Sequence, residues 1–154
     1  MKINYREFKK SDYENIVKTF GPKIERFHMG QFKKNCYNIG AFDGDKLVGM
    51  ISTYERTQIK PLKQKEAFIA YIDVLEDYRR KGIATHLVKM AEKWAKMQGL
   101  YQIGAWSDLV ATNMILLAKK QKYSMCQAIM YDENYLPTNG NKYIVGYYYA
   151  KRLD

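Results

Sequence analysis

The segment Ile72-Asp73-Val74-Leu75-Glu76-Asp77-Tyr78-Arg79-Arg80-Lys81-Gly82-Ile83-Ala84-Thr85 decides how the chain is read. It begins inside an apolar run, Phe68 to Val74, with the length and composition of a buried strand. It ends on an amphipathic stretch, about Ile83 to Gln98, in which Ile83, Leu87, Val88, Ala91, Trp94 and Ala95 recur at helical spacing. Lys89, Glu92, Lys93 and Lys96 fall on the opposite face, and Gly99 stands where a C-terminal cap is expected. Between strand and helix lie three consecutive cations, Arg79, Arg80 and Lys81, followed by Gly82 and the small Ala84. A helix N-terminus presents unsatisfied N–H groups and the positive end of the helix dipole, so it favours an anion. Gly82 and Ala84 keep side-chain bulk away from the main chain there. The segment therefore predicts a cradle for a diphosphate. Neither G-x-x-x-x-G-K-[ST] nor G-x-G-x-x-G occurs in it, so nucleoside-triphosphate and dinucleotide readings lose their usual support.

Toward the N-terminus, a strand is expected near Ile3 to Phe8. A helix is expected from about Asp12 toward Phe20, opened by the capping-box spacing of Ser11 and Glu14 and stopped by Gly21-Pro22. A second short helix is expected over about Lys23 to Lys34. Asn38 to Phe42 and Lys46 to Glu55 form a hairpin around Asp43-Gly44, and the lysine-rich Lys60 to Lys65 is a solvated connection. Beyond the central helix, Tyr101 to Ser107 is expected as a strand and Asn113 to Lys122 as a helix. Strands near Gln127 to Asp132 and Lys142 to Lys151 close the chain through a loop with Pro137 and Asn139-Gly140. Strands alternate with helices in the middle and pair antiparallel at both ends, which is an α/β protein with a mixed sheet. No linker or repeat divides the chain, so residues 1–154 are read as one domain.

Composition narrows the function classes. At 154 residues the chain can bury a core without disulfides or a structural metal. Cys36 and Cys126 are the only cysteines and there are two histidines, too few for a zinc cage, and no metal is expected. The polar start and short apolar runs predict neither a signal peptide nor a membrane span, which points to the cytoplasm. The net charge of +10 suits an anionic partner and selects no chemistry by itself.

Arg79-Arg80-Lys81-Gly82-Ile83-Ala84 matches [QR]-x-x-G-x-[GA], the signature of the GNAT superfamily of acyl-CoA-dependent N-acetyltransferases, and the order of elements resembles that family over nearly the whole chain. The resemblance implies a mixed, mostly antiparallel twisted sheet of about six or seven strands, about four flanking helices and a cleft splayed after the central strand. It further implies acetyl-CoA as cosubstrate, its diphosphate on the main chain of Arg79, Arg80, Lys81, Gly82, Ile83, Ala84 and Thr85. The pantetheine arm would lie along Ile72, Asp73 and Val74 as an added strand, with Asn113 in contact from the next helix.

The implied reaction is direct attack of a primary amine, on a small molecule or peptide, in a ternary complex. An alkylamine with pKa near 10.4 is neutral in only about one part in a thousand at pH 7, so a base or water chain must take a proton. The Val74 N–H is the expected oxyanion donor, and Glu55 and Asp73 are the candidate bases. The family's leaving-group tyrosine, seven residues after the asparagine, is replaced here by Lys120; Tyr123 lies a turn further on, and both are candidates beside water. The acceptor pocket is expected from Phe20 to Lys34 and Asp132 to Asn141. Two other readings arise from the same residues. The missing tyrosine suits a non-catalytic coenzyme A-binding regulatory domain. The charge and 14 tyrosines suit a nucleic-acid-binding module, although alternate residues of Tyr147-Tyr148-Tyr149 must be core if that stretch is a strand. A monomer or a homodimer fits either way.

Overall fold

A computed structural model of the chain describes residues 2–21, 35–57, 64–131 and 143–154. The second expected helix, most of the lysine-rich connection and the Pro137 loop lie outside those residues. The β-branched and aromatic runs become seven strands: β1 Ile3–Glu7, β2 Cys36–Asp43, β3 Lys46–Thr57, β4 Lys65–Val74, β5 Gln102–Asp108, β6 Ser124–Tyr131 and β7 Tyr143–Arg152. Among the described residues three α-helices accompany them, α1 Tyr13–Phe20, α2 Ile83–Met97 and α3 Thr112–Lys120. All seven strands join one sheet in the order β1-β2-β3-β4-β5-β7-β6. Neighbours are antiparallel except β4 and β5, which run parallel, as a connection through α2 requires.

α2 lies on one face of the sheet. Its stripe of Ile83, Leu87, Val88, Ala91 and Ala95 is buried against Ile39, Val48, Ile51, Ala67, Ile69 and Ile103. Trp94 stacks on Tyr37, ring centroids 5.5 Å apart. Glu92, expected on the solvated face, instead accepts hydrogen bonds from Tyr123 and Lys151, because β7 and the turn before β6 reach that side of the helix. α1 covers the other face through Ile16, which packs with Phe8, Phe42, Leu47 and Met50.

Two local expectations change. The residue at the N-cap of α1, Asp12, makes no side-chain capping bond. Its carboxylate is drawn to the Arg6 guanidinium at 2.7 and 2.8 Å and also accepts the Lys9 N–H, contacts that hold its pKa down at about 2. The Ser11–Glu14 capping box is thereby superseded by an acid that joins β1 to the helix. In the β2–β3 hairpin the two-residue turn is Gly44-Asp45, one residue later than expected, with Gly44 at φ 59°.

The sheet is closed at one end of β4 and open at the other. At the closed end, Glu66 of β4 is fully buried and accepts from Arg56 of β3, Gln102 of β5 and Tyr148 of β7, so one carboxylate ties four strands. Burial and the neighbouring carboxylate push the Tyr148 hydroxyl up to about 12, keeping it a donor. At the open end the parallel pairing stops after three residues, Ala67–Ile69 against Ile103–Ala105. Ala70, the next residue, is the extra one in a β-bulge: Ser52 pairs Tyr71 and Thr53 pairs Ile69. A bulge bends its strand and raises the local twist. β4 then follows β3 to Val74 opposite Gly49, while β5 follows β7 to Asp108 opposite Gly146, and the two strands separate.

No helix among the described residues is long and apolar enough to cross a membrane. Removing the acceptor that joins the closed end should be costly. Glu66→Ala leaves Arg56, Gln102 and Tyr148 facing a cavity and is expected to lower the unfolding free energy by about 2–4 kcal/mol in denaturant titration, with Glu66→Gln losing less.

Candidate active site

The divergence of β4 and β5 opens a cleft of about 640 Å³. Its floor is Ile72, Asp73 and Val74, one end is the turn and first helical residues Arg79, Arg80, Gly82, Ile83, Ala84 and Thr85, and its far wall is α3 through Asn113, Leu116, Leu117 and Lys120. That volume is in the range of pockets that enclose a whole small ligand.

The backbone explains what the cleft offers. Leu75, just past β4, donates its N–H to the Val48 carbonyl at 2.9 Å, so strand alternation turns the N–H and C=O of Val74 and Ile72 the other way, into the cleft. β5 has left, so this edge of β4 has no neighbouring strand, and the Val74 N–H and C=O are held instead by the side chains of Asp73 and Arg79. At the end of this edge stands the N-terminus of α2. Its first helical bond runs from the His86 N–H to the Gly82 carbonyl, so the N–H groups of Ile83, Ala84 and Thr85 have no acceptor within the helix. Gly82 adopts φ 83°, a conformation that costs a side-chain-bearing residue, and a Cβ there would meet nothing within 4 Å. The space beside the main chain is open, as an approaching phosphate needs. Gly49 of β3 serves packing instead. A Cβ on it would stand 3.1 Å from Ile83, whose side chain seats the first turn of α2 on the sheet.

The expected site residues separate into those the cleft gathers and those it does not. Ile72, Asp73, Val74, Arg79, Arg80, Gly82, Ile83, Ala84, Thr85, Asn113 and Lys120 all line it. The Lys81 side chain does not. It donates to the Asp77 carbonyl at 2.8 Å and lies over the Tyr78 ring, so the cationic wall is Arg79, Arg80 and Lys120 rather than the three consecutive residues. Glu55 is a correction as well. It sits on β3 opposite Ala67, on the paired side of the bulge, where it is ion-paired with Lys65 at 2.8 Å. Tyr123 is another: it is buried, and its hydroxyl points at Glu92 at 3.1 Å. Burial first, and then the charge of Glu92, drive that hydroxyl far above the usual tyrosine range. Neither group reaches the cleft.

Several residues escaped the sequence reading, Tyr78 and Tyr71 among them. Tyr78 lines the cleft and donates to Asp43 at 3.0 Å, fixing the turn to the β2–β3 hairpin. Tyr71 donates to Asp73 at 3.2 Å from two residues back on the same face of β4. The i, i+2 spacing of Tyr71 and Asp73 was the available signal. Leu116 and Leu117 were missed as well, although their spacings of three and four from Asn113 and Lys120 place them on the same face of α3.

Asp73 is the most engaged group here. One carboxylate oxygen accepts the Val74 N–H at 2.7 Å and stands 3.5 Å from the Arg79 guanidinium, while Arg79 Nε donates to the Val74 carbonyl at 2.8 Å. No group of three or more metal-ligating side chains occurs among the described residues.

Comparison with known proteins agrees with this geometry. The model of the Acetyltransferase (GNAT) family matches residues 4–121. The chain is 42% identical over 123 residues to the aminoglycoside N(6')-acetyltransferase type 1 of Acinetobacter genomosp. 13, covering 72% of this chain and 80% of that one. Two solved structures share the fold at low identity. NAA60 of Arabidopsis thaliana in complex with acetyl-CoA has a TM-score of 0.76 at 18% identity, covering 99% of both chains. The aminoglycoside 6'-N-acetyltransferase AAC(6')-Ih of Acinetobacter baumannii has a TM-score of 0.71 at 19% identity, covering 88% of this chain and 100% of that one.

The turn itself yields a stability prediction. Arg80 is held at φ 61°, where a side-chain-bearing residue is strained. Arg80→Gly is expected to raise the unfolding free energy by about 0.5–1 kcal/mol in thermal or denaturant melts, while weakening the binding of coenzyme A, measured by calorimetry.

Proposed function

Because the chain belongs to the acetyltransferase (GNAT) family and is an acetyl-CoA-dependent N-acetyltransferase, we propose a division of labour among its cleft residues and a small cationic molecule with a primary amine as its acceptor. The observation that carries the proposal is the cleft-lining edge of Ile72 and Val74, with no strand beside it, running into the N-terminus of α2, which has no side-chain cap. In this reading the N–H groups at the start of α2 receive the coenzyme's diphosphate, helped by the helix dipole and by Arg80. Ile72 and Val74 pair with the pantetheine amides as a neighbouring strand would, and Asn113 and Leu117 close over that arm from α3. The cosubstrate brings a thioester carbonyl and a thiolate leaving group.

Val74 N–H stabilises the negative charge that grows on the carbonyl oxygen as the amine attacks. Lys120 faces the same cleft from α3, and its ammonium stabilises the departing thiolate by charge, in place of the tyrosine the family places at this spacing. Tyr123 is excluded from that role by its bond to Glu92.

The acceptor class draws support from two directions. The curated relative is named for aminoglycoside acetylation. On the face of the sheet that carries α1, opposite α2, β4 presents Asp73 and Tyr71, an anion and an aromatic ring suited to a cation. A cytoplasmic location and a monomeric or dimeric state belong to the same proposal, and Cys36 and Cys126, neither of them in a disulfide, fit a reducing compartment.

Incubating the protein with acetyl-CoA and a panel of aminoglycosides, polyamines and peptides, with thiol release and mass spectrometry as readouts, should yield acetylated primary amines among the small cations. Acetylation confined to peptides would overturn the acceptor class, and thiol release with no amine product would overturn the reaction. In the same assay Lys120→Met should lower kcat by about ten-fold or more, with a smaller change in the KM for acetyl-CoA. Lys120→Arg should retain most of the rate, and Tyr123→Phe should lower the melting temperature without a selective loss of kcat.

A further inference from the structure

Both cleft-facing main-chain groups of Val74 are engaged by side chains of the same chain. Its N–H donates to Asp73 Oδ1 at 2.7 Å, and its C=O accepts from Arg79 Nε at 2.8 Å. The other oxygen of Asp73, Oδ2, accepts from the Tyr71 hydroxyl at 3.2 Å. Tyr71 is half-buried, edge to face with Phe20 at 6.4 Å between ring centroids. That burial, and then the charge of Asp73, push its hydroxyl well above the ordinary range, so it remains a donor.

An anionic carboxylate oxygen therefore sits on the one N–H that would receive the thioester oxygen. Two oxygens carrying negative charge do not share one N–H at hydrogen-bond distance without strong repulsion, so the carboxylate must leave before charge can develop on the carbonyl. Asp73 has room to do so, since its side chain is 40% exposed. It also has partners to receive it, Tyr71 on one side and the Arg79 guanidinium at 3.5 Å on the other. Released in that way, it lies beside the reacting carbonyl on the face from which an amine can approach.

We propose that Asp73 is a partner-switching carboxylate: it holds the Val74 N–H until an acyl thioester takes that donor, and then serves as the base for the acceptor amine, with Tyr71 as its positioning residue. The inference rests on the oxyanion role proposed for Val74. The steps balance. A proton passes from the acceptor ammonium to Asp73, and the freed nitrogen lone pair forms the C–N bond. The C–S electron pair leaves on sulfur, the second amine proton reaches the thiolate through water, and Asp73 returns its proton to solvent. The products are an amide, a free thiol and one proton. Acetyl-CoA binding thus makes the base available, so the acceptor site is complete only after the donor has bound.

Calorimetry with acetyl-CoA and with coenzyme A, on the wild type and on Asp73→Ala, Asp73→Asn and Tyr71→Phe, tests this. Asp73→Ala is expected to bind acetyl-CoA about three- to ten-fold tighter, since a charge-assisted hydrogen bond no longer has to be broken. Coenzyme A, which has no thioester oxygen, should gain less. Asp73→Asn keeps an oxygen for the Val74 N–H and should bind acetyl-CoA as the wild type does, yet both Asp73 variants should lose about 100-fold or more in kcat with the best amine of the panel. Tyr71→Phe should lower kcat by a smaller factor, with little change in the KM for acetyl-CoA.

Unchanged or weaker acetyl-CoA binding by Asp73→Ala overturns the switch, and so does an equal gain for coenzyme A, which would reflect only the removal of a negative charge near a polyanion. If the alanine variant does not fold, wild-type kcat in Asp73→Asn overturns the proposal by itself. Failure of the wild type to bind acetyl-CoA would instead remove the cleft assignment beneath it, so the two failures are told apart.

Discussion

The site depends on one constraint: a parallel strand pair that stops after three residues. Backbone N–H and C=O groups are obligatory hydrogen-bonding groups, and a strand that loses its neighbour must find other partners for them. β4 loses β5 after Ile69, and beyond that point the edge has no neighbouring strand, so Val74 turns to the side chains of Asp73 and Arg79. The separation has a cause at each end. Glu66 ties β3, β4, β5 and β7 together at the closed end, and the bulge at Ala70 bends β4 away at the other.

The same constraint places the charges. The crossover from β4 to β5 runs through α2, so the strand that opens is also the strand that leads into a helix N-terminus. The open edge and the positive helix end are thus consecutive in the chain. The net charge of +10 has only a local counterpart in this arrangement. Arg79 and Arg80 flank the helix start and Lys120 faces them from α3, whereas Lys81 is folded back on the Asp77 carbonyl. Arg79 is bound to the Val74 carbonyl and stands 3.5 Å from Asp73, so cation and carboxylate meet at the end of β4.

Much of this was legible in the sequence because it depends on periodicity and turn chemistry. The Ile83–Ala95 stripe, the cation-rich turn and the Gly99 stop are local signals, and α2 spans Ile83–Met97 where the spacing put it. What failed depends on phase and reach. Glu55 and Asp73 are both carboxylates on strands bordering the expected cleft. Which one enters it turns on the bulge at Ala70 and on where the β4–β5 pairing ends, and neither leaves a signal in a single chain. Lys120 and Tyr123 compete in the same way. A residue three positions further along faces the cleft or the core according to where α3 ends, and α3 ends at Lys120, after which Tyr123 turns into the core toward Glu92.

The order and type of the described elements, the cation-rich turn at the start of α2 and the family were therefore written in the sequence alone. These depend on side-chain spacing within a few residues, and local sterics and helix periodicity enforce such spacing. The folded chain was needed to settle which carboxylate lies on the Val74 N–H, which cations face the cleft and what holds the sheet closed behind it. Those contacts join residues far apart in the chain, Glu66 to Tyr148 and Tyr123 to Glu92 among them, and strand register and bending govern them, which no local pattern encodes. The bond between Asp73 and the Val74 N–H is the instructive exception. The two residues are adjacent in sequence, yet the contact matters because β5 is no longer there to take that N–H.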